Sequence, residues 1–317
     1  MVAMAGSGRF GALVTAMVTP FDDAGELDLD GAVRLARWLA DHGSDALVVA
    51  GTTGEGPVLS DAEALALWRA VVGAVSIPVI AGTGTADTRH SIELTELAGD
   101  ARVDAVLVVT PYYNRPSQTG LAAHFEAVAA ATRLPVVLYD IPARTGRKIA
   151  HDTMVHLARS VPNIVGVKDA AGDVVATSRL IAELGDSFEV YGGDDALILA
   201  HLAVGAVGLV SVASHWAGTE IGEMIAAFAK GDVLGAQTLY QRLLASFAFE
   251  STEEFPNPLP AKAACRALAL PAGQCRLPMG AAPPELDEQA RAVLGALGRH
   301  LGAPDGAGAG RSEGPVG

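Results

Sequence analysis

The sequence predicts a (β/α)8 barrel with a helical C-terminal extension, and three observations carry that prediction. Eight short apolar runs, rich in β-branched residues, alternate with longer amphipathic stretches between Ala12 and Val212. The runs are almost continuously apolar, which is typical of parallel strands buried on both faces. No further run of this kind follows residue 215, and the later stretches have helical periodicity. The alternative, a doubly wound sheet, would usually have fewer strands and a switch point.

The predicted strands share their short length and their β-branched content. In chain order they are Ala12–Val18, Ala46–Ala50, Pro78–Ala81, Ala105–Val109, Pro135–Tyr139, Ile164–Lys168, Phe188–Tyr191 and Val207–Val212. The stretches between them have the apolar spacing of helices that cover a sheet. They include Asp30–His42, Asp61–Val75, Thr88–Ala98, Leu121–Thr132, His151–Arg159 and Val174–Leu184.

The chain is expected to divide into three parts. Residues 10–214 hold the strands and helices of the barrel, and residues 215–301 hold its last helix and the helical extension. The helices predicted in this second part are Gly218–Lys230, Asp232–Phe247 and Pro260–Leu268. Residues 302–317 are rich in Gly, Ala and Pro without periodicity, which predicts a disordered tail.

Composition excludes several classes of protein. Of 317 residues, 50% are hydrophobic and 18% are charged, so the chain can bury a sizeable core. The net charge of −14 argues against nucleic acid and anionic membranes as partners. No stretch approaches the ~18 apolar residues of a membrane-spanning helix. Cys265 and Cys275 do not form a disulfide framework, so we expect a cytoplasmic protein with reduced thiols.

The four lysines are few enough to consider one by one. Lys168 closes a predicted strand, which directs it towards the mouth of the barrel. Partial desolvation there favours the free amine, a nucleophile towards carbonyl carbon. The alternative is an ion pair with Asp169 or another acid near the surface. Lys148, Lys230 and Lys262 are expected to have ordinary solvated or capping roles.

Polar residues follow the predicted strands at the end of the barrel where such folds carry their active sites. Gly51–Glu55 offers free N–H groups and two hydroxyls, a turn suited to carboxylate or phosphate. Gly82–Gly84 lacks the third glycine of a dinucleotide-binding motif, because Asp87 holds that place. His151 and His156 are five residues apart, whereas two metal ligands on one helical face are usually four apart. We therefore predict neither a metal nor a cofactor.

Five motifs, in order and in register, resemble the dihydrodipicolinate synthase family of the pyruvate-dependent class I aldolase and lyase superfamily. They are Gly51–Glu55, Thr110–Asn114, Tyr139–Pro142, Arg144–Gly146 and Gly166–Asp169. The resemblance runs from about Phe10 to about Gly298 and includes Gly193–Asp195 and Pro256–Pro258. It implies a (β/α)8 barrel with three C-terminal helices, usually assembled as a homotetramer of tight dimers.

The resemblance also assigns catalytic roles. Lys168 would condense with the ketone of pyruvate, and the resulting enamine would attack the aldehyde of L-aspartate-4-semialdehyde. Tyr139 would move protons in a relay through Thr52 to Tyr113, which in this family crosses the dimer interface into the neighbouring site. A phenol close to an amine is suited to the proton transfers of imine formation.

Three further residues would bind substrate. Thr53, with Thr52, would hold the carboxylate of pyruvate, and the backbone near Val210 would line its pocket. Arg144 would bind the carboxylate of aspartate semialdehyde, for which a guanidinium fork is well suited. Sialic acid lyases and sugar-acid aldolases share the lysine and the tyrosine but not this arginine.

Two other functions remain open at this point. The first is another class I pyruvate-dependent aldolase or lyase, acting on a 2-keto-3-deoxy sugar acid, on N-acetylneuraminate or on the substrate of a specialised pathway. The second is a barrel that binds a small oxo-acid without turnover.

The sequence further predicts weak or absent feedback inhibition by lysine. In lysine-inhibited members of the family the effector site uses polar and ionic residues, including histidine and glutamate. The matching positions here are Asp61, Ala64, Ala86 and His90, with only Tyr112 retained. A cationic effector therefore lacks the glutamate that would pair with it. Turnover measured against rising lysine concentration should stay constant, and inhibition at low concentration would contradict the prediction.

Overall fold

The computed structural model describes residues 8–299 and residue 301, and its centre is a closed barrel of eight parallel strands. The strands are β1 (Leu13–Ala16), β2 (Ala46–Val49), β3 (Val79–Gly82), β4 (Ala105–Val109), β5 (Val136–Asp140), β6 (Ile164–Asp169), β7 (Glu189–Gly192) and β8 (Gly208–Ser211). They pair in chain order, and β8 returns to β1 with Val210 opposite Val14. The predicted barrel is confirmed, and the doubly wound sheet is excluded.

The helices surround this barrel and extend it at the C-terminus. They are α1 (Leu29–Asp41), α2 (Asp61–Val72), α3 (Thr88–Asp100), α4 (Gln118–Ala130), α5 (Pro142–Thr145), α6 (His151–Ser160), α7 (Val174–Leu184), α8 (Ile198–Ala203), α9 (Ser214–Ala229), α10 (Val233–Phe249), α11 (Leu259–Ala267) and α12 (Pro284–Ala296). The pattern analysis did not find α5 and α8, which are too short to have a period. It also did not find α12, the third helix of the extension.

Local sequence explains where several helices begin. Ser60 caps α2 in a capping box: its hydroxyl accepts the Glu63 N–H, and the Glu63 carboxylate accepts the Ser60 N–H. Asp28 caps α1 and Asp173 caps α7 by accepting backbone N–H groups of the first turn. These caps satisfy amides that would otherwise have no partner at the helix ends.

Each strand is buried on both faces, as its apolar sequence predicts. Alternate side chains point into the barrel, where Val14, Val48, Ile80 and Leu107 form an inner core. The intervening side chains pack between the strands and the surrounding helices in a larger outer core. Continuous apolar runs were the signal for parallel strands because neither face of such a strand meets water.

The extension packs back on the barrel, and α10 lies along α9.

None of the described helices is long and apolar enough to cross a membrane. Cys265 and Cys275 are buried free thiols, and burial raises the pKa of each to about 12. The division at residues 214 and 215 stays a prediction, and the predicted tail, residues 302–317, lies outside the described residues.

Candidate active site

The site is built where β5, β6 and β7 end. Strand register places Tyr139, Lys168 and Tyr191 at one level, side by side on these three strands. Lys168 is only 4% exposed, and its Nζ lies 4.3 Å from the centre of the Tyr139 ring. A lysine amine in this position can act as a nucleophile towards a carbonyl carbon.

The carboxylate that follows Lys168 in sequence is not its partner. Asp169 accepts hydrogen bonds from the Thr177 hydroxyl at 2.5 Å and from the Ala171 N–H at 3.0 Å. Within the described part of the chain, Lys168 makes no ion pair, although Lys148 and Lys262 each do. The alternative interpretation of Lys168 as one half of a surface ion pair is therefore wrong.

Two buried acids anchor the ends of the strands that carry Tyr139 and Lys168. Asp140 accepts the Ile149 N–H at 3.2 Å and lies 3.6 Å from the ammonium of Lys148. Burial raises the pKa of Asp140 to about 6, against the opposing effect of Lys148. Because side chains alternate along a strand, Asp140 and Asp169 face the helices while their neighbours face the barrel.

Gly193 leaves the space that the Lys168 side chain occupies. A Cβ at this position would lie 3.0 Å from Lys168 Cε and 2.9 Å from Ala170 Cβ. These separations are tighter than ordinary van der Waals contact, so a larger residue would displace the lysine. The resemblance included Gly193 without giving it a role, and its closeness to Lys168 was not visible in the sequence.

A cavity of about 380 Å³ opens beside Tyr139, whose ring lies against the Lys168 amine. Thr52, Tyr139 and Arg144 line it, so three of the seven predicted site residues meet around one space. Its apolar lining includes Leu107 and Ile141. A mostly apolar cavity with a few convergent polar groups is typical of a small-molecule site.

Residues Gly51–Glu55, the threonine turn, contribute Gly51 and Thr52 to the lining of that cavity. Within the described residues the N–H groups of Thr52, Thr53 and Gly54 donate no backbone hydrogen bond, whereas the Glu55 N–H donates to the Thr52 carbonyl. The Thr53 hydroxyl accepts a hydrogen bond of 2.9 Å from the Asn257 side chain. Adjacent free N–H groups of this kind bind anionic oxygens.

Arg144 stands opposite the turn on α5. Gly146 ends this short helix with a φ of 71°, in the left-handed region that favours glycine. The Arg144 guanidinium donates to the backbone carbonyl of Asn257 at 3.1 Å while it lines the cavity. Asn257 thus contacts both Thr53 and Arg144, a connection that local sequence did not reveal.

Four of the seven predicted residues, Lys168, Thr53, Val210 and Tyr113, are not among the residues that line this cavity. Val210 is buried on β8 in the inner core with Tyr139 and Tyr191. Tyr113 is 94% exposed and has a φ of 73°, so it extends away from its own chain at the tip of the loop after β4. This chain alone does not bring Tyr113 to Lys168.

The prediction for Lys262 is wrong. This lysine is fully buried, and its Nζ lies 2.6 Å from Oε1 of Glu55 and donates to the Gln274 carbonyl at 2.9 Å. Burial lowers its pKa, and Glu55 opposes that shift. A helical pattern over residues 260–268 does not indicate contact with a residue as distant in sequence as Glu55. It therefore predicted an ordinary solvated or capping role for Lys262. Lys230, as predicted, stands at the C-terminus of a helix, α9.

The sequence profile of the dihydrodipicolinate synthetase family matches residues 9–297. The chain belongs to this family. A 4-hydroxy-tetrahydrodipicolinate synthase from Moorella thermoacetica is 49% identical over 288 residues, which cover 90% of this chain and 98% of that protein. One from Bacillus subtilis is 47% identical over 273 residues, 86% of this chain and 93% of that protein.

Solved structures of the dihydrodipicolinate synthetase family agree with the fold. The crystal structure of a dihydrodipicolinate synthase from Bacillus anthracis has a TM-score of 0.87 at 46% identity and covers 90% of this chain and 98% of its own. A family structure from Cyanidioschyzon merolae, determined with lysine bound, has a TM-score of 0.88 at 42% identity. The match covers 91% of this chain and 98% of that one.

Of the five positions considered for lysine feedback, four line the same cavity. Asp61, Ala64, His90 and Tyr112 line it. The Asp61 carboxylate is 2.9 Å from Nε2 of His90, so Asp61, the acidic residue among these four, already has a partner. This arrangement is consistent with the predicted weakness of lysine feedback, which stays a prediction.

Among the described residues no group of three or more His, Cys, Asp or Glu is placed to hold a metal ion.

Proposed function

We propose that this chain is a 4-hydroxy-tetrahydrodipicolinate synthase, which condenses pyruvate with L-aspartate-4-semialdehyde on the route to diaminopimelate and lysine. The observation that carries the proposal is the buried Lys168 amine, without an ion pair in the described structure and 4.3 Å from the Tyr139 ring. The names of relatives at 47–49% identity support the choice of reaction.

The first half of the reaction forms an imine. The Lys168 amine attacks the ketone carbon of pyruvate, and the carbinolamine loses water as protons move between nitrogen and oxygen. The pyruvate carboxylate accepts hydrogen bonds from the threonine turn, which fixes the ketone over the amine. Tyr139 supplies and removes these protons, because its phenol lies on the cavity next to the lysine.

The second half makes the carbon–carbon bond. Loss of a methyl proton converts the imine to an enamine, whose carbon attacks the aldehyde of the second substrate. The amine of that substrate then attacks the imine carbon, which closes the ring and releases Lys168. Imine formation releases one water, the aldol step adds the enamine carbon to the aldehyde, and ring closure exchanges the Lys168 nitrogen for the substrate nitrogen, so the Lys168 amine is regenerated.

We further propose that the active enzyme is a homotetramer of tight dimers. Tyr113 supports this assembly, since a tyrosine that is 94% exposed at a loop tip is available to a second copy of the chain. In the dimer it would complete the proton relay that begins at Tyr139 and passes through Thr52. The cytoplasmic location stays a prediction.

Arg144 is expected to select the second substrate, because its guanidinium lines the cavity and can form two hydrogen bonds with a carboxylate. Arg144→Met should raise the KM for aspartate semialdehyde by roughly tenfold to a hundredfold, the loss expected for a charge-assisted hydrogen bond. The KM for pyruvate should stay unchanged. Steady-state assays with each substrate varied in turn measure both values.

Arg147→Met is the matched control, since Arg147 donates to the Arg115 carbonyl and is not part of the cavity lining. The same assays should include a 2-keto-3-deoxy sugar acid and N-acetylneuraminate. Cleavage of either, without condensation of aspartate semialdehyde, would assign the chain to another pyruvate-dependent activity of the superfamily.

A further inference from the structure

The threonine turn is tied to the C-terminal extension through its last residue. Glu55 is 5% exposed, and each of its carboxylate oxygens has a partner. Oε1 lies 2.6 Å from Lys262 Nζ, and Oε2 accepts a hydrogen bond of 2.9 Å from the backbone N–H of Arg276. Lys262 belongs to α11, and Arg276 lies in the segment between α11 and α12. Glu55 therefore connects the cavity wall to two parts of the extension.

The two cations are themselves fixed. Lys262 and Arg276 each lie 4.2 Å from the centre of the Phe21 ring. Arg276 also donates to the Val58 carbonyl at 3.1 Å and to Glu63 at 2.5 Å. The extension thus contacts Glu55 and the chain that follows it, as far as the first turn of α2.

The backbone at Glu55 gives this attachment a local consequence. Its φ is 56°, in the left-handed region that a glutamate rarely adopts and that surrounding contacts must maintain. Gly56 follows in a position where a Cβ would lie 2.4 Å from the Ala50 carbonyl. The conformation that ends the turn, and with it the direction of the Thr52 and Thr53 N–H groups, therefore depends on how Glu55 is held.

Stability alone does not explain a buried ion pair at this position. Desolvation of two charges offsets much of their attraction, and apolar residues of similar size often stabilise a fold equally well. An ion pair with further hydrogen bonds does fix a geometry, because each charged group forms hydrogen bonds in only a few directions. Asn257 adds a third contact from beyond α10, since it donates to the Thr53 hydroxyl.

We propose that Glu55 is a positioning residue for the carboxylate of the first substrate, and that Lys262 and Arg276 of the extension hold it in place. This inference rests on the proposed function, in which the threonine turn binds pyruvate. The extension then acts on the chemistry at Lys168 through the wall of the cavity, without contact with either substrate.

The test compares Glu55→Gln and Lys262→Met with Arg266→Met as the matched control. Arg266 is on the same helix and forms an ion pair of 2.5 Å with Asp287, but it does not contact the threonine turn. For each folded variant, kcat and both KM values are measured, and active sites are counted by borohydride trapping with pyruvate. Counting sites separates loss of folded enzyme from loss of affinity.

We expect the KM for pyruvate to rise roughly tenfold in Glu55→Gln and Lys262→Met, because hydrogen bonds to a charged ligand depend steeply on alignment. The KM for aspartate semialdehyde and all constants of Arg266→Met should stay within about twofold. If Lys262→Met does not fold, the double variant Glu55→Gln/Lys262→Met removes both charges and is measured by the same criterion.

An unchanged KM for pyruvate in the folded variants, with only the number of active sites reduced, would overturn the inference and make the ion pair purely structural. A wild-type enzyme that traps no pyruvate would instead overturn the proposed function. The two failures are therefore distinguishable in one experiment.

Discussion

Lys168→Met is expected to lower kcat/KM by about 10⁴-fold or more, since loss of a nucleophile that forms a covalent intermediate can cost about 10⁶-fold. Methionine has nearly the same length, and the lysine makes no ion pair within the described residues, so the fold should persist. Borohydride reduction with pyruvate, followed by peptide mass analysis, should add one reduced pyruvyl group to the wild-type peptide that contains Lys168. The variant should show no adduct.

Lys230→Met is the matched control for this experiment. Lys230 is exposed at the C-terminus of α9, whereas Lys168 is buried on a barrel strand next to Tyr139, so loss of Lys230 should leave turnover and the adduct unchanged. An adduct on any peptide without Lys168, or turnover that survives in Lys168→Met, would refute the imine mechanism.

The strands and the position of Lys168 were predictable because their signals are local. A parallel strand that is buried on both faces must be apolar along its whole length, so β4 was predicted with its observed bounds, Ala105–Val109. The last residues of such a strand reach the end of the barrel that carries the active site. Lys168 stands among those last residues of β6, and its sequence position therefore placed it at this end of the barrel, next to Tyr139.

The partners of the site residues were not predictable, because they come from distant parts of the chain. Thr53 is held by Asn257, and Glu55 by Lys262, more than 200 residues further along in each case. Pattern analysis gives the period of a helix but not which face another segment covers. For that reason Lys262 was predicted to have an ordinary solvated or capping role, although it is among the largest fully buried side chains.

These long-range contacts explain why a helical extension accompanies the barrel. Strand ends alone place Lys168 and Tyr139, whose positions are set by register between β5 and β6. The threonine turn and Arg144 lie outside the strands, and both are held from beyond α10, through Asn257, Lys262 and the segment that follows. In the proposed mechanism, the barrel supplies the nucleophile and the extension orients the groups that would bind carboxylates.

Tyr139→Phe is expected to lower kcat by about 10²–10³-fold, the range of a positioned general acid–base group. The variant keeps the ring 4.3 Å from the Lys168 amine and removes only the hydroxyl. The KM for pyruvate should change little, because the threonine turn still holds the carboxylate. Rapid-quench borohydride trapping should give the Lys168 adduct in full amount but at a reduced rate.

Tyr191→Phe is the matched control, since Tyr191 lies at the same level of the barrel interior on the other side of Lys168. Its hydroxyl accepts the Phe10 N–H at 3.0 Å, so its removal should lower the free energy of unfolding by about 1 kcal/mol. The trapping rate should stay at the wild-type value, because that hydroxyl is occupied by the backbone. Equal rates in Tyr139→Phe and the wild type would assign the proton transfers to another group, and equal losses in both variants would mean that interior packing governs the rate.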